Sequence, residues 1–419
     1  MNDVRPHPAL LPPGRGSAKF IGQNSRAMAF ADRRKLNSPR PTGESWGETI
    51  RWVWLLFSLL FSIPASAQHT QLKRDEQIVF YPSVAQRVAG DTNFWRAEIR
   101  GCVFEVEQRT VLLATLRAAL DLKDVTMTAA EAKVFNERAR LFLVDHKRGK
   151  QVFIRCGTNE FLVGKSGVNG RFAGTVRLRE KDWGRRPPSG RAEDRGAAPA
   201  GSETSAPFTA VLAADDQRLF SGEVCFLEDQ GLSVISDIDD TIKVTEVRNR
   251  HATLRNTFLR EFQPVPGMAE LYQSWAHSNR VAFHYVSASP WQLYVPLSRF
   301  IQTHGFPSGT FALKPFRWKE GSFFSLFAGP EQYKRRVIEP LLQKFPGRQF
   351  ILIGDSGERD PEIYAALARK YPRQIARIYI RDVTGESADV ERYVRAFHDL
   401  SRGRWQIFRE PGELTIASE

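Results

Sequence analysis

Sulfur is scarce in this chain. Three cysteines, Cys102, Cys156 and Cys225, stand among 419 residues. They are too few for a disulfide framework or a four-cysteine zinc site, and an odd number leaves one without a mate. No apolar run reaches the roughly 20 residues that a membrane-spanning helix needs. No internal repeat is visible. Acidic side chains are the minority, 47 Asp and Glu against 60 Lys and Arg, for a net charge of +13. That surplus favours an anionic partner: nucleic acid, anionic lipid or a phosphorylated substrate. Hydrophobic residues at 42% and charged residues at 26% exclude wholesale disorder. The length suits two or three domains.

Residues 1–50 are rich in Pro, Gly, Ser and Arg, lack apolar periodicity, and read as a disordered basic leader. Residues 51–67 read as a signal peptide. Arg51 precedes a short apolar core, Trp52 to Ile63, and Pro64 leads to the small-residue exit Ala65-Ser66-Ala67. An uncleaved anchor or a buried helix is the alternative. Met28 is a second candidate start, leaving Arg33, Arg34, Lys35 and Arg40 as the charged flank. Arg33-Arg34 lies too far from the apolar core for a twin-arginine signal. The expectation is export to the periplasm, envelope or exterior after cleavage near Ala67. Export would permit a disulfide among Cys102, Cys156 and Cys225, with a pairing the sequence leaves open. The plainer reading of each is a core thiol.

Two regions follow. Residues 76–230 read as a smaller, β-rich, sandwich-like domain. Val152-Phe153-Ile154 and Phe161-Leu162-Val163 flank a short polar stretch, Gly170 to Leu178 alternates in part, and Phe208–Leu212 with Leu219–Phe226 reads as a hairpin. A helical stretch, Val111 to Leu122, interrupts them, and residues 182–206 read as a flexible insertion. From 231 to 412 strands alternate with amphipathic helices. Leu232–Ser236, Val281–Val286, Phe350–Ile353 and Ala376–Ile380 are the expected strands. Met268, Leu271, Tyr272 and Trp275 form one of three helical stripes, with Leu293, Leu297, Phe300 and Ile301, and with Ile363, Tyr364, Leu367 and Tyr371. Alternation of this kind predicts an α/β fold, a parallel sheet covered by helices, with its ligand beyond the carboxyl ends of the strands.

The sharpest motif is Ser236-Asp237-Ile238-Asp239-Asp240-Thr241, where an apolar strand runs into three acids. Like charges so close repel, and burying them without a cation is costly. A calcium loop does not fit: the sixth position is Ile242, not Gly, and the twelfth is Arg248, not Glu. A solvated acidic turn is the plain alternative. Ser287 closes the next strand, in Tyr285-Val286-Ser287-Ala288-Ser289-Pro290, where a hydroxyl can donate to a phosphate oxygen; Ser289 before Pro290 reads as a helix cap. Lys334 opens a helix, a position where a lone lysine is normally solvated. Gly354-Asp355-Ser356-Gly357-Glu358-Arg359-Asp360-Pro361 closes a third strand, with Asp360 placed to cap the following helix.

Together, Asp237-x-Asp239-x-Thr241, Ser287, Lys334 and Gly354-Asp355 with Asp360 resemble the haloacid dehalogenase superfamily. More narrowly, the Ser236–Lys243, Tyr285–Trp291 and Gly354–Tyr364 motifs resemble the actin-patch-associated phosphatidate phosphatase family, over about residues 231–383. Tyr333 stands where that family often has His. The resemblance implies a Rossmann-like, haloacid dehalogenase-like catalytic domain and hydrolysis of phosphatidate to diacylglycerol and phosphate. It implies Asp237 as nucleophile, forming an aspartyl-phosphate, and Asp239 as proton donor and acceptor. Thr241, Ser287 and Lys334 would hold the phosphoryl oxygens. Mg²⁺ would be held by Asp237, the Asp239 backbone carbonyl and Asp355, with Asp360 either a further ligand or the residue that orients a metal-bound water.

Basic and aromatic side chains interleave from Lys243 to Phe262 and from Phe311 to Phe327. They suit peripheral contact with an anionic lipid surface, or else a cap packed by its aromatics. No nucleic-acid-binding module is recognisable, and no nucleic acid partner is expected. The alternatives are a phosphatase of a soluble phosphomonoester and a non-catalytic lipid-surface or envelope protein.

Overall fold

The computed structural model describes residues 68–106, 110–179, 204–279, 281–315 and 330–416. The leader, the signal segment, most of the 182–206 insertion and the Phe316–Phe327 part of the second basic-aromatic stretch lie outside the described residues.

The carboxy-terminal half is built on a six-stranded sheet, every adjacent pair of it parallel. Its strands are β10 (Leu232–Ser236), β11 (Ala282–Pro290), β12 (Gly309–Lys314), β13 (Gln349–Asp355), β14 (Ile375–Arg381) and β15 (Trp405–Phe408). The order is β12-β11-β10-β13-β14-β15. The chain winds outward from β10 on one side and restarts at β13 on the other, so the winding reverses between β10 and β13. A crevice opens at such a point beyond the strand ends. The four central strands are the four the sequence marks, as near-continuous apolar runs buried on both faces. The edge strands β12 and β15 have weaker patterns and were not expected.

Helices α3 (Arg250–Phe258), α4 (Met268–Asn279) and α5 (Tyr294–Thr303) cover one face around Val234, Phe283 and Tyr285. Helices α6 (Pro330–Lys344), α7 (Asp360–Lys370) and α8 (Glu391–Phe397) cover the other around Ile235 and Leu352. All three predicted helical stripes fall on these helices, except that Leu293 lies in the turn before α5 and Tyr371 just past the end of α7.

The β-rich region differs from the expected sandwich. Its nine strands form one hydrogen-bonded sheet, not two. The reason is β3 (Asp91–Val106), 16 residues long. Along its length it pairs with β1 (Glu76–Tyr81), β2 (Ser83–Val88), β4 (Val144–His146) and β7 (Arg171–Arg179). One long strand thus joins what would otherwise be separate layers around a common core of Phe80, Trp95, Ile99 and Phe208. The expected hairpins are present, β5 (Gln151–Cys156) with β6 (Asn159–Lys165) and β8 (Thr204–Ala210) with β9 (Ser221–Phe226). Cys102, Cys156 and Cys225 are all buried and all free.

The helical interruption is a pair, α1 (Thr110–Ala119) and α2 (Ala129–Arg140), packed into the core of the parallel-sheet region through Leu116, Phe135 and Phe142. Arg138 fixes the join. Its guanidinium is buried, donates to the carbonyls of Thr257 and Arg260 at 2.7 Å each, and lies 3.8 Å from the Phe262 ring centre. It thereby satisfies carbonyls that the end of α3 leaves open. Arg348, also buried, clamps the chain entering β10 by donating to the Glu228, Gln230 and Leu232 carbonyls and to Ser233 Oγ.

Candidate active site

Asp237 is the first residue past β10, and Asp355 ends β13. The register Ser236↔Ile353, with the Asp237 N–H donating to the Ile353 carbonyl at 2.8 Å, brings the two acids out side by side at the crevice. Asp360 joins them from the start of α7. Gly354 is what lets it approach: a Cβ there would meet Asp360 Oδ2 at 2.1 Å. Carboxylate oxygens of Asp237, Asp355 and Asp360 lie within 4.8 Å of one another.

Lys334, fully buried, reaches into this cluster. Its Nζ lies 2.8 Å from Asp237 Oδ1, 2.6 Å from Asp360 Oδ1 and 2.9 Å from Glu358 Oε2. The solvated-lysine reading of this position is therefore wrong. Burial would lower its pKa, but the three acids outweigh that and keep the ammonium charged. One cation does not balance four carboxylates. Burial, with Asp360 and Glu358 alongside, pushes Asp237 and Asp355 well above the usual carboxylate range. Thr241 Oγ1 donates to Asp237 Oδ2 at 3.1 Å. Asp355 Oδ1 accepts the N–H groups of Gly357 and Glu358 at 2.7 and 3.1 Å. Among the described residues Asp355 Oδ2 is buried with no hydrogen-bond partner.

That unmet oxygen and the clustered acids fit a hard divalent cation, which takes oxygen ligands and would relieve their repulsion. Asp237, Asp355 and Asp360 are the side chains placed to hold one. The Asp360 carboxylate does not cap its helix as the sequence suggests. It lies one residue inside α7, binds Lys334, and accepts the Asp355 N–H at 3.2 Å.

The Asp239 carboxylate turns to a separate set of partners. Lys243 Nζ lies 2.8 Å from Oδ1, and Thr245 Oγ1 donates to the same oxygen at 2.9 Å. Ser287 Oγ and Ser289 Oγ donate to Oδ2 at 2.7 and 2.9 Å. Burial alone would raise the pKa of Asp239; the Lys243 charge and these hydrogen bonds hold it down to about 2. Ser289 is thus a carboxylate ligand here and caps no helix.

Asp240, third acid of the motif, is structural. It adopts a left-handed backbone, φ 54°, and its carboxylate accepts the N–H groups of Thr245, Glu246 and Val247. Lys243, Thr245, Ser289 and Glu358 are the site residues sequence reasoning missed. Lys243 and Glu358 were visible within the quoted motifs. Lys243 was instead assigned to the lipid-facing stretch. The apolar side chains of that stretch, Leu254, Phe258, Leu259 and Phe262, are core residues, while its Arg248, Arg250 and His251 are exposed.

Residues 232–382 match the family model described as "Phosphatidate phosphatase APP1, catalytic domain". Over 169 residues the chain is 38% identical to phosphatidate phosphatase APP1 of Saccharomyces cerevisiae, covering 39% of this chain and 28% of that protein. It is 32% identical over 177 residues to an uncharacterized protein of Schizosaccharomyces pombe, covering 41% of this chain and 29% of the other. The chain therefore spans less than a third of the length of these relatives. The matched segment holds every acid and hydroxyl just described, with Lys334, and over residues 232–382 the chain is similar to the APP1 catalytic domain.

Proposed function

We propose that this chain is a Mg²⁺-dependent phosphatidate phosphatase that releases phosphate and diacylglycerol. One observation carries the reading: Asp237, Asp355 and Asp360 share a buried crevice with a charged lysine and one unmet carboxylate oxygen. A haloacid dehalogenase-like fold is part of the proposal, supported by the strand order and the position of Asp237.

Asp237 attacks phosphorus, and the bond to the leaving alkoxide breaks, leaving an aspartyl-phosphate. Asp239 protonates the alkoxide, then takes the proton of the water that opens the intermediate. For the first task it must leave Lys243 and gain a proton, so the arrangement seen here is a resting one. Thr241, Ser287 and Lys334 exchange their carboxylate partners for phosphoryl oxygens; Lys334 offsets their charge. A bound Mg²⁺ supplies a Lewis acid for those oxygens. The family relative named a phosphatidate phosphatase supports the substrate class. Export through residues 51–67 belongs to the same proposal, and amino-terminal sequencing of the mature protein should begin near Gln68.

The decisive experiment is phosphate release from phosphatidate with and without Mg²⁺. Metal-dependent release that is absent in Asp237→Asn supports the reading. Release from soluble phosphomonoesters alone overturns the lipid substrate, and no release from either overturns the enzyme.

A further inference from the structure

A second concavity, about 270 Å³, lies where the nine-stranded sheet meets the parallel one. Its walls come from both. Tyr81 and Phe104 enter from the β-rich region, and Trp291, Tyr294 and Val295 from the chain after β11. Tyr81 lies against Trp291 at a tilt of 32° with ring centres 4.0 Å apart and meets Tyr294 edge-on at 5.2 Å. Cys102 completes the wall as a neutral thiol, its pKa pushed up to about 12 by burial. Among the described residues no carboxylate lines this cavity, and Arg171 is the one guanidinium. Its chemistry is the opposite of the acid-rich crevice.

Three links tie the two spaces together. Ser289, which binds Asp239, precedes Trp291 by two residues, so their backbones are at most about 7 Å apart. Pro315, another wall residue, directly follows β12, on the carboxyl edge of the sheet where Asp237 and Asp355 emerge. Arg171 and Arg100 both act electrostatically on buried Tyr333, the residue before Lys334. The chamber, with Arg171 in its lining, thus borders the chain that leads from Ser289 at the carboxyl edge of the sheet. Val295, 42% exposed, marks the side open to solvent.

We propose that this chamber seats one acyl chain of the phosphomonoester lipid, with Arg171 meeting the ester oxygens at its polar end. The inference rests on the phosphatidate reading above and deepens it. The β-rich region then selects substrate by supplying half of the chain-binding wall. A soluble phosphomonoester without a chain gains nothing from it.

The test uses the full chain and monomeric phosphatidates of rising length, dibutanoyl, dihexanoyl and dioctanoyl. In the parent protein kcat/KM should rise with length, by up to about fourfold for each methylene buried. Val295→Trp and, from the opposite wall, Val144→Trp should flatten that rise, cutting the dioctanoyl-to-dibutanoyl ratio by about tenfold or more. A binding readout stands apart from turnover. In Asp237→Asn protein a chain-brominated dioctanoyl phosphatidate should quench tryptophan fluorescence, and most of that quenching should vanish when Trp291→Phe is added. If phosphatidate is hydrolysed but the length dependence survives both variants, or quenching survives Trp291→Phe, the chamber assignment falls and the activity stands. If only chain-free phosphomonoesters are hydrolysed, the substrate reading falls and takes the chamber with it.

Discussion

Two buried aspartates, two residues apart in sequence, have solved burial differently. Asp237 sits among Asp355, Asp360 and Glu358 with Lys334 as the shared cation. Asp239 has Lys243 to itself and three hydroxyls besides. The first side carries a surplus of negative charge; the second is balanced. An unbalanced buried cluster is costly unless something of opposite charge joins it, whereas a balanced pair is complete within the chain. On the proposed reading the surplus is where a cation would bind, and the balance would hold the Asp239 carboxylate until substrate arrives.

The largest effects should separate the two aspartates. Asp237→Asn removes the nucleophile and should lower turnover by about four orders of magnitude or more on every phosphomonoester. Asp239→Asn should be comparably damaging for alkyl phosphates, whose leaving group needs a proton. With p-nitrophenyl phosphate the first step should partly recover, because a phenolate leaves unaided. The phosphoryl adduct should then accumulate on the Asp237 peptide, where rapid-quench mass spectrometry can locate it. An adduct on any other residue assigns the nucleophile wrongly.

The two lysines give the next test. Lys334→Met and Lys243→Met each leave a buried carboxylate unpaired and should each cost about 3–5 kcal/mol of stability, measured by urea unfolding. The comparison lies in the rescue. Added Mg²⁺ should restore a large part of the loss in Lys334→Met, where three acids remain to take it. It should do no more for Lys243→Met than for the parent. Equal rescue would erase the distinction between the sides.

Mg²⁺ alone should stabilise the parent by about 2.7 kcal/mol at a hundredfold excess over its dissociation constant. Asp355→Asn should lose most of that gain, since it alters the residue whose Oδ2 lacks a partner. A full gain in that variant would remove Asp355 from the metal-holding set.

Much of the crevice was legible because parallel sheets concentrate chemistry at their carboxyl ends. An apolar strand leading into Asp237, and another ending in Asp355, announce two neighbouring carboxylates once both strands are placed. The partners of Asp239 were harder to read. Lys243 returns to Asp239 through a tight loop, held by the Asp240 carboxylate, that no periodicity reports. The same holds for the β-rich region, where short alternating runs gave the hairpins but not their union. Pairing along β3 joins β1, β4 and β7 across long sequence separations, beyond its local hairpin with β2, and such register is set by packing. Helix α2 was missed although Thr128 and Glu131 form its capping box, because its apolar stripe is short: Val134, Phe135 and Ala139.

A third buried group shows the remaining way to satisfy burial, which is to carry no charge. His284 lies within β11, with Nδ1 2.7 Å from Thr310 Oγ1 and Nε2 3.2 Å from Ser233 Oγ, the oxygen that also accepts from Arg348. Burial, reinforced by the Arg348 charge, pushes its pKa down to about 3. In the unfolded chain the imidazole titrates near 6.5. Between those values the unfolded state binds a proton that the folded state refuses, so stability falls as pH drops below about 6.5 and the loss is complete near pH 3. From pH 7 to pH 5 this one group should cost about 2 kcal/mol. His284→Gln keeps a donor and an acceptor but does not titrate. It should therefore shrink the pH 7-to-5 loss by about that amount, whatever its effect at neutral pH, in paired urea titrations. Since the partners of His284 are Thr310, Ser233 and the Arg348 charge and not the acids of the cluster, the same difference should persist with Mg²⁺ present. A difference that vanished on adding Mg²⁺ would tie His284 to the acid cluster and break the separation drawn here.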